Sequence, residues 1–219
     1  MKRKIITTAD GSHTIQLPDW NEQYHSKHGA IQEAYHVFIK HGLSLFPDKE
    51  ISILEVGFGT GLNAFITFIE AQKKNISIHY TGAELYPVGM EEIKKLNYVT
   101  QLKSEPSGQV FLAMHEAPWE AVKKISQGFD LYKKRIDVAT IDDESMYDLI
   151  YFDAFGARVQ PELWTETLFA KMYKAMKKGG VLVTYAAKGS VRRAMQDVGF
   201  RVERLEGPPG KREMLRAFK

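Results

Sequence analysis

A chain of 219 residues with 44% hydrophobic content can bury one full core, and no apolar run in it is long enough to cross a membrane. Cysteine is absent, which excludes disulfides, thiolate catalysis and cysteine-held metals and fits a reducing compartment such as the cytoplasm; the seven histidines show no HExxH pattern, so no metal is expected. The net charge of +3 is unevenly spread: residues 188–219 carry nine Lys or Arg against four Asp or Glu, a net of +5, which leaves the rest of the chain near −2 and points a basic surface at a polyanion.

Residues 1–45 read as a hairpin and helical cap, and residues 50–219 as the core of a single domain. Ile5–Thr8 and His13–Leu17 flank the turn pair Asp10–Gly11, which predicts a hairpin over one end of the main sheet. Trp20–Leu45 predicts helix, broken at Gly29, with Ala34, Val37, Phe38 and Leu45 on compatible faces. Within it, Gln23–Glu33 carries more polar and aromatic side chains than a connector needs and reads as a loop with a role of its own. Tyr24 and Tyr35 suit packing there, and His25, His28 and His36 suit the surface.

The centre of the chain is Ile51–Asn63, with Ile51, Ile53, Leu54 and Val56 as a buried parallel strand. Glu55 and glycines 57, 59 and 61 follow, and Thr60 or Asn63 is expected to open the next helix, whose apolar face holds Phe65, Ile66, Phe68 and Ile69. Dinucleotide folds use G-x-G-x-x-G with a pyrophosphate at the helix start. Here an acid precedes alternate glycines. A carboxylate at that turn repels a pyrophosphate and suits the ammonium of a methionine moiety, which favours S-adenosylmethionine (SAM) over NAD. A second strand, Ile76–Glu84, ends in an acid at the interval where such folds place a ribose ligand.

Pro87–Asn97 predicts a helix with Pro87 in its first turn, residues 100–109 a polar loop, and Trp119–Ile125 a short helix after Pro118. Phe129–Ile141 alternates like a strand and passes through Asp137, a candidate partner for an adenine amino group. Tyr147–Asp153 is a buried strand whose terminal acid should face the site. Glu162–Lys178 is an amphipathic helix ended by Gly179–Gly180, Val181–Ala187 a strand, and Val191–Val198 a helix stopped by Gly199. Phe200–Leu205 and Glu213–Phe218 surround Gly207–Gly210 as an antiparallel pair. The expected fold is α/β: a mostly parallel seven-stranded sheet with a C-terminal antiparallel pair, the layout of a Rossmann-like class I SAM-dependent methyltransferase.

Methyl transfer to an alkylamine needs a free lone pair and an in-line approach. Asp153, the carbonyl of Ala154 and the ring of Phe155 form a set that could hold such an amine. They resemble the Asp/Asn-Pro-Pro-aromatic tetrapeptide of amino methyltransferases without its prolines, and an acid that only orders the loop is the plainer alternative.

Several stretches in order resemble the MnmC-type tRNA methyltransferases, especially their stand-alone MnmD-type members: Gln32–Phe38, Glu55–Asn63, Asp153-Ala-Phe, Pro161–Trp164, Thr184–Arg192 and Gly210–Met214. The resemblance implies methylation of the exocyclic amine of 5-aminomethyl-2-thiouridine at the tRNA wobble position, giving 5-methylaminomethyl-2-thiouridine. It implies SAM contacts from Glu33, Gly57, Phe58, Gly59, Thr60, Gly61, Asn63, Glu84 and Asp137, with Asp153 facing the amine; the residues themselves add Glu55 and Asp153 as SAM contacts and Phe155 beside the amine. An FAD-dependent oxidase domain, found in bifunctional members, is not expected in this length, so the amine must come from elsewhere. The family commonly has a proline soon after Asp-Ala-Phe, where this chain has Gly156–Gln160.

The residues agree with a tRNA anticodon stem-loop as partner. Lys188, Arg192, Arg193, Lys211 and Arg212 are candidate phosphate contacts, and Phe155, Trp164 or Tyr185 could stack on an extruded base, although Trp164 and Tyr185 equally suit the core. Two other readings are an aminopropyl transferase or small-molecule amine methyltransferase on the same scaffold, and a non-catalytic RNA-binding relic. A nicotinamide oxidoreductase ranks last because of Glu55 and the glycine spacing.

Overall fold

A computed structural model describes residues 2–47 and 50–219, so the first residue of the basic N-terminal stretch lies outside it. The elements in chain order are β1 (Lys4–Thr7), β2 (His13–Leu17), β3 (Glu22–Gln23), α1 (Ala30–Ala34), β4 (Glu50–Val56), α2 (Leu62–Lys74), β5 (Ser77–Ala83), α3 (Met90–Ile93), α4 (Tyr98–Gln101), α5 (Gly108–Glu116), β6 (Val122–Ser126), β7 (Phe129–Lys134), β8 (Tyr147–Phe152), α6 (Glu166–Ala175), β9 (Met176–Thr184), α7 (Gly189–Val198), β10 (Arg201–Glu206) and β11 (Glu213–Phe218).

The main sheet runs β10-β11-β9-β8-β4-β5-β7-β6. Strands β7, β5, β4, β8 and β9 are parallel, while β11 is antiparallel to both β9 and β10. From β4 the chain winds outward through β5 and β7, then returns to β8 and β9 on the other side. The winding therefore reverses between β4 and β8, and the crevice beyond their carboxyl ends is where an open α/β sheet takes a ligand.

The parity of β4 divides the core. Ile51 and Ile53 pack under α1 and α2 with Phe38, Phe65, Tyr80 and Tyr151, whereas Leu54 and Val56 pack against α6 and α7 with Phe152, Trp164, Phe169 and Met172. Side chains alternate across a strand, so Glu55 shares the face of Ile51 and Ile53. Asp153, just past β8, shares the face of Leu149 and Tyr151 in the same way. Both acids thus point toward the start of α2.

Several expected boundaries shift. The sheet has eight strands in place of seven, because Val122–Ser126 pairs antiparallel with β7 where a helix was expected. Lys123 and Lys124 keep that outer edge charged. Helix over Trp20–Leu45 is reduced to α1, its wider π-helical continuation Tyr35–Lys40 and a 3-10 turn at Leu43–Leu45, while Glu22–Gln23 pairs with β2 and turns the hairpin into a three-stranded sheet. Helix α3 starts at Met90, where the Glu92 carboxylate accepts a bond from the Gly89 amide at 3.0 Å, so Pro87 lies outside it. Residues 100–109 are not one loop: α4 ends at Gln101, a 3-10 turn spans Glu105–Ser107, and α5 begins at Gly108. The β7 strand stops at Lys134, short of Asp137.

Helix α6 is shorter than Glu162–Lys178. It begins after the Thr165 hydroxyl, which caps the Leu168 amide at 3.4 Å, and it ends at Ala175 because Met176 already pairs with Tyr147. Gly179 and Gly180 therefore lie inside β9, at an irregularity in its pairing with β8, and stop no helix. The C-terminal pair and the Gly199 stop after α7 (φ +110°) are as expected.

Phe65 on α2 is fully buried, with its ring 5.1 Å from that of Phe111 on α5. Phe65→Ala is expected to lower unfolding stability by about 3–5 kcal/mol in urea titration, the usual cost of an emptied aromatic site. A loss below about 1 kcal/mol would contradict this packing.

Candidate active site

The loop after β4 holds its three glycines in left-handed backbone, with φ of +90° at Gly57, +48° at Gly59 and +69° at Gly61. A Cβ on Gly57 would lie 2.9 Å from the Asp153 carbonyl oxygen, so the loop lies directly on the end of β8. Gly61 is the residue at which α2 begins, and neither Thr60 nor Asn63 caps the helix. Thr60 is buried and its hydroxyl meets His25 Nε2 at 2.7 Å and the Tyr98 hydroxyl at 3.0 Å. Phe58 turns inward over Gly82, whose missing Cβ leaves room for its ring.

Beyond the strand ends lies a cavity of about 290 Å³. Of the residues expected there, Gly57, Gly59, Glu84, Asp137, Asp153 and Phe155 line it. The Glu84 carboxylate accepts from the amides of Gly59 at 3.0 Å and Tyr86 at 2.8 Å, and Asp137 accepts from the Ala139 amide at 2.9 Å. These bonds fix both acids at the rim.

The roof of the cavity comes from the N-terminal segment: Leu17, Trp20, Tyr24 and His25. The Phe155 ring packs edge-on against Tyr24 at 5.1 Å and Trp20 at 5.9 Å. Two arginines latch this roof. Arg3 donates to the Tyr86 carbonyl at 3.0 Å and the Tyr24 hydroxyl at 3.3 Å. Arg158 donates to the carbonyls of Trp20 and Asn21 at 3.1 and 3.0 Å. Arg158 stands in the Gly156–Gln160 stretch, so that departure from the family pattern has a structural use. The roof residues went unrecognised in the sequence. The signal was the polar and aromatic density after Gln23, but Tyr24 suited packing and His25 suited the surface. In fact His25 is buried, which pushes its pKa down to about 4 and keeps the ring neutral.

Glu55 does not line the cavity. It is 1% exposed and lies beneath the floor, held by the Tyr80 hydroxyl at 2.8 Å and the Asn63 amide at 2.8 Å. The acid expected to meet a ligand ammonium therefore lies under α2, where strand parity sends its side chain. The same Asn63 nitrogen donates to Asp153 at 2.8 Å. Burial, then the neighbouring Asp153 charge, pushes the Glu55 carboxyl well above the usual range; burial, then Glu33, does the same for Asp153. The remaining oxygen of the Asn63 amide is buried and has no partner among the described residues, and Asn63 does not line the cavity. Phe58, Thr60 and Gly61 likewise support the cavity from behind without lining it.

Glu33 is also outside the cavity. It is buried, accepts from the Ser26 amide at 2.9 Å, and forms an ion pair with Lys211. Lys211 is therefore no free surface cation: its ammonium lies 3.7 Å from the Tyr185 ring centre. The Tyr185 hydroxyl donates to the Ala154 carbonyl at 2.8 Å, and the Trp164 indole donates to the Phe155 carbonyl at 2.8 Å. Trp164 is 5% exposed and holds the loop; the Ala154 carbonyl, expected to hold an amine, already has a donor. Tyr185, Lys188, Lys211 and Arg212 line a second, shallower depression beside Gly156. Lys188, Arg193 and Arg212 are exposed and Arg192 is half-buried. Among the described residues, no group of three acidic or histidine side chains is placed to hold a metal, and no helix is long and apolar enough to cross a membrane.

The strand order, the glycine turn and the acids at the ends of β5 and β8 form the kind of crevice in which an open α/β sheet takes a nucleotide ligand. Residues 120–219, a little under half of the chain, match the family described as S-adenosyl-L-methionine-dependent methyltransferase. Over most of its length the chain is similar to proteins named MnmC. It is 27% identical over 226 residues, 97% of its own length, to the tRNA 5-methylaminomethyl-2-thiouridine biosynthesis bifunctional protein MnmC of Hydrogenovibrio crunogenus. It covers 33% of that relative, so the chain spans about a third of the length of the curated relatives it matches. In fold it is similar to MNMC2 from Aquifex aeolicus, with a TM-score of 0.79 and 24% identity over 99% of this chain and 69% of that one. Spermidine synthase from Thermotoga maritima shares the architecture more loosely, at a TM-score of 0.54 and 14% identity over 100% of this chain and 71% of that one.

A methyl group at position 57 would need both the +90° backbone and the space held by the Asp153 carbonyl. Gly57→Ala is expected to weaken S-adenosylhomocysteine binding at least about tenfold by calorimetry, given a strain of roughly 1–3 kcal/mol. Unchanged affinity would place the ligand elsewhere.

Proposed function

We propose that this chain transfers the SAM methyl group to the exocyclic amine of 5-aminomethyl-2-thiouridine at the tRNA wobble position, giving 5-methylaminomethyl-2-thiouridine. The observation that carries the reading is the placement of Asp153. Its carboxyl is fixed by Asn63, it lines the cavity under the Phe155 ring, and Glu33 and Lys211 bear on it from the side of the second depression. The curated relatives, named for this modification, supply the identity of the amine.

SAM, when bound, supplies a methyl group on a positively charged sulfur. Glu84 suits its ribose hydroxyls and Asp137 its adenine amino group, both at the rim of the cavity. The protein's own task is to present an amine with its lone pair free. A free alkylammonium holds its proton up to a pH of about 10, so a proton must leave before attack. Burial and Glu33 raise the proton affinity of Asp153, which brings it closer to that of the amine and suits it to accept or share that proton. The aromatic roof of Trp20, Tyr24 and Phe155 keeps water from the reacting atoms.

The tRNA would lie across the basic rim, with Lys188, Arg192, Arg193 and Arg212 toward its phosphates. Tyr185 and Phe155 are the half-buried rings suited to an extruded base, with Trp164 at the edge of the second depression. Such a substrate places the enzyme in the cytoplasm, working as one domain with residues 1–45 as cap over 50–219.

The test supplies labelled SAM and tRNA from a strain lacking this methyl group, followed by nucleoside analysis. Label is expected in 5-methylaminomethyl-2-thiouridine. Label in another nucleoside, or in free polyamine without tRNA, would contradict the reading, the latter in favour of a small-molecule amine enzyme. In the same assay Asp153→Asn is expected to slow single-turnover transfer by about 10²- to 10⁴-fold.

A further inference from the structure

Lys211 belongs to the tight turn between β10 and β11, closed by bonds from the Lys211 amide to the Pro208 carbonyl at 2.9 Å and from the Gly207 amide to the Arg212 carbonyl at 3.1 Å. At its centre Gly210, with φ +82°, lies against the His28 ring of the cap. This turn aims Lys211 inward. Its side chain is 31% exposed, yet the ammonium contacts a Glu33 carboxylate that is 8% exposed and the face of Tyr185.

Asp153 lines the cavity where an amine would sit, and the Glu33 carboxylate, outside the cavity, bears on it. Asp153 itself stands at the end of β8, Glu33 comes from α1, and Glu55 lies behind Asn63 on β4. The groups around them are His25, Glu22 and Asp10 of the cap, Tyr185 at the end of β9 and Lys211. His25 is buried and neutral, Glu22 is paired with Arg158 at 3.0 Å, and Asp10 accepts from the Ser12 and Gln32 amides at 3.0 Å each. Of the charges bearing on Asp153, only that of Lys211 is positive.

An arrangement of free carboxylates would recognise an ammonium well and methylate it badly, because each negative charge favours the protonated form. We propose that Lys211 is a positioning residue for the reaction: by neutralising Glu33 it leaves the incoming amine facing one carboxylate, Asp153, so that the amine can shed its proton. The inference rests on the amine-methylating function proposed above. In the step itself, the nitrogen lone pair forms the new N–C bond, the S–C pair stays on sulfur, and the proton lost beforehand passes to Asp153. This role differs from a phosphate contact, which would set tRNA affinity alone.

The experiment is the pH dependence of single-turnover methyl transfer to aminomethyl-bearing tRNA. Lys211→Met frees the Glu33 charge, stabilises the ammonium, and should move the rising limb to higher pH by at least about one unit. Glu33→Gln leaves Lys211 unpaired and should move it to lower pH. Glu33→Gln combined with Lys211→Met should return it near the wild-type position, and Lys211→Arg should keep it there. A limb that stays in place in the single variants, with only a rise in KM for tRNA, would overturn the proposal. Wild-type protein that fails to methylate this tRNA would overturn the functional reading and this inference together.

Discussion

One side-chain amide joins the elements on which the site depends. Asn63, in the first turn of α2, donates from a single nitrogen to Glu55 on β4 and to Asp153 at the end of β8. A buried carboxyl and a half-buried one bridged this way resist being ionised together, since each charge raises the proton affinity of the other. The amide offsets part of that repulsion and fixes the position of Asp153. Bonds of this kind to charged groups contribute about 1.5–3 kcal/mol each. The glycine turn makes the bridge possible, because only a backbone free of Cβ atoms lets the start of α2 come down onto the strand ends.

The remainder of the molecule closes this centre from two directions. The N-terminal sheet and the segment after it carry aromatic rings over the cavity, pinned by Arg3 and Arg158. The β10–β11 turn brings Lys211 to Glu33, so cap and C-terminal pair meet across the entrance. An N-terminal appendage and a terminal antiparallel pair, which a dinucleotide fold would not need, thus become parts of one site. Lys188, just before α7, and Lys211 and Arg212 of the same turn line the second depression and make it basic.

Much of this was legible in residue order. The apolar run before Glu55, the alternate glycines and the acids at Glu84 and Asp153 located the central strands and the crevice, because buried parallel strands and positive-φ turns leave little choice of residue. Direction was harder to read. Glu55 looked like a ligand contact until strand parity sent it beneath α2, and Lys211 looked like a surface cation until its turn aimed it inward. Helix α5 was hidden behind a polar stretch, although Val110, Phe111 and Met114 already stood at helical spacing. Strand β6 resembled a helix because an edge strand is selected by the neighbour it pairs with, and its own sequence carries little of that information. The roof was missed for a similar reason: Tyr24 and His25 gain their meaning from Phe155 and Thr60, far along the chain.

Carboxyl ¹³C NMR of the aspartate-labelled, ligand-free protein tests the enclosed placement of Asp153 most directly, with its signal assigned by its loss in Asp153→Asn. The account predicts that Asp153 titrates well above the ordinary carboxylate range, from burial and the nearby Glu33 charge. A midpoint near 4, as for a solvated aspartate, would contradict it and remove the physical basis for placing the amine there.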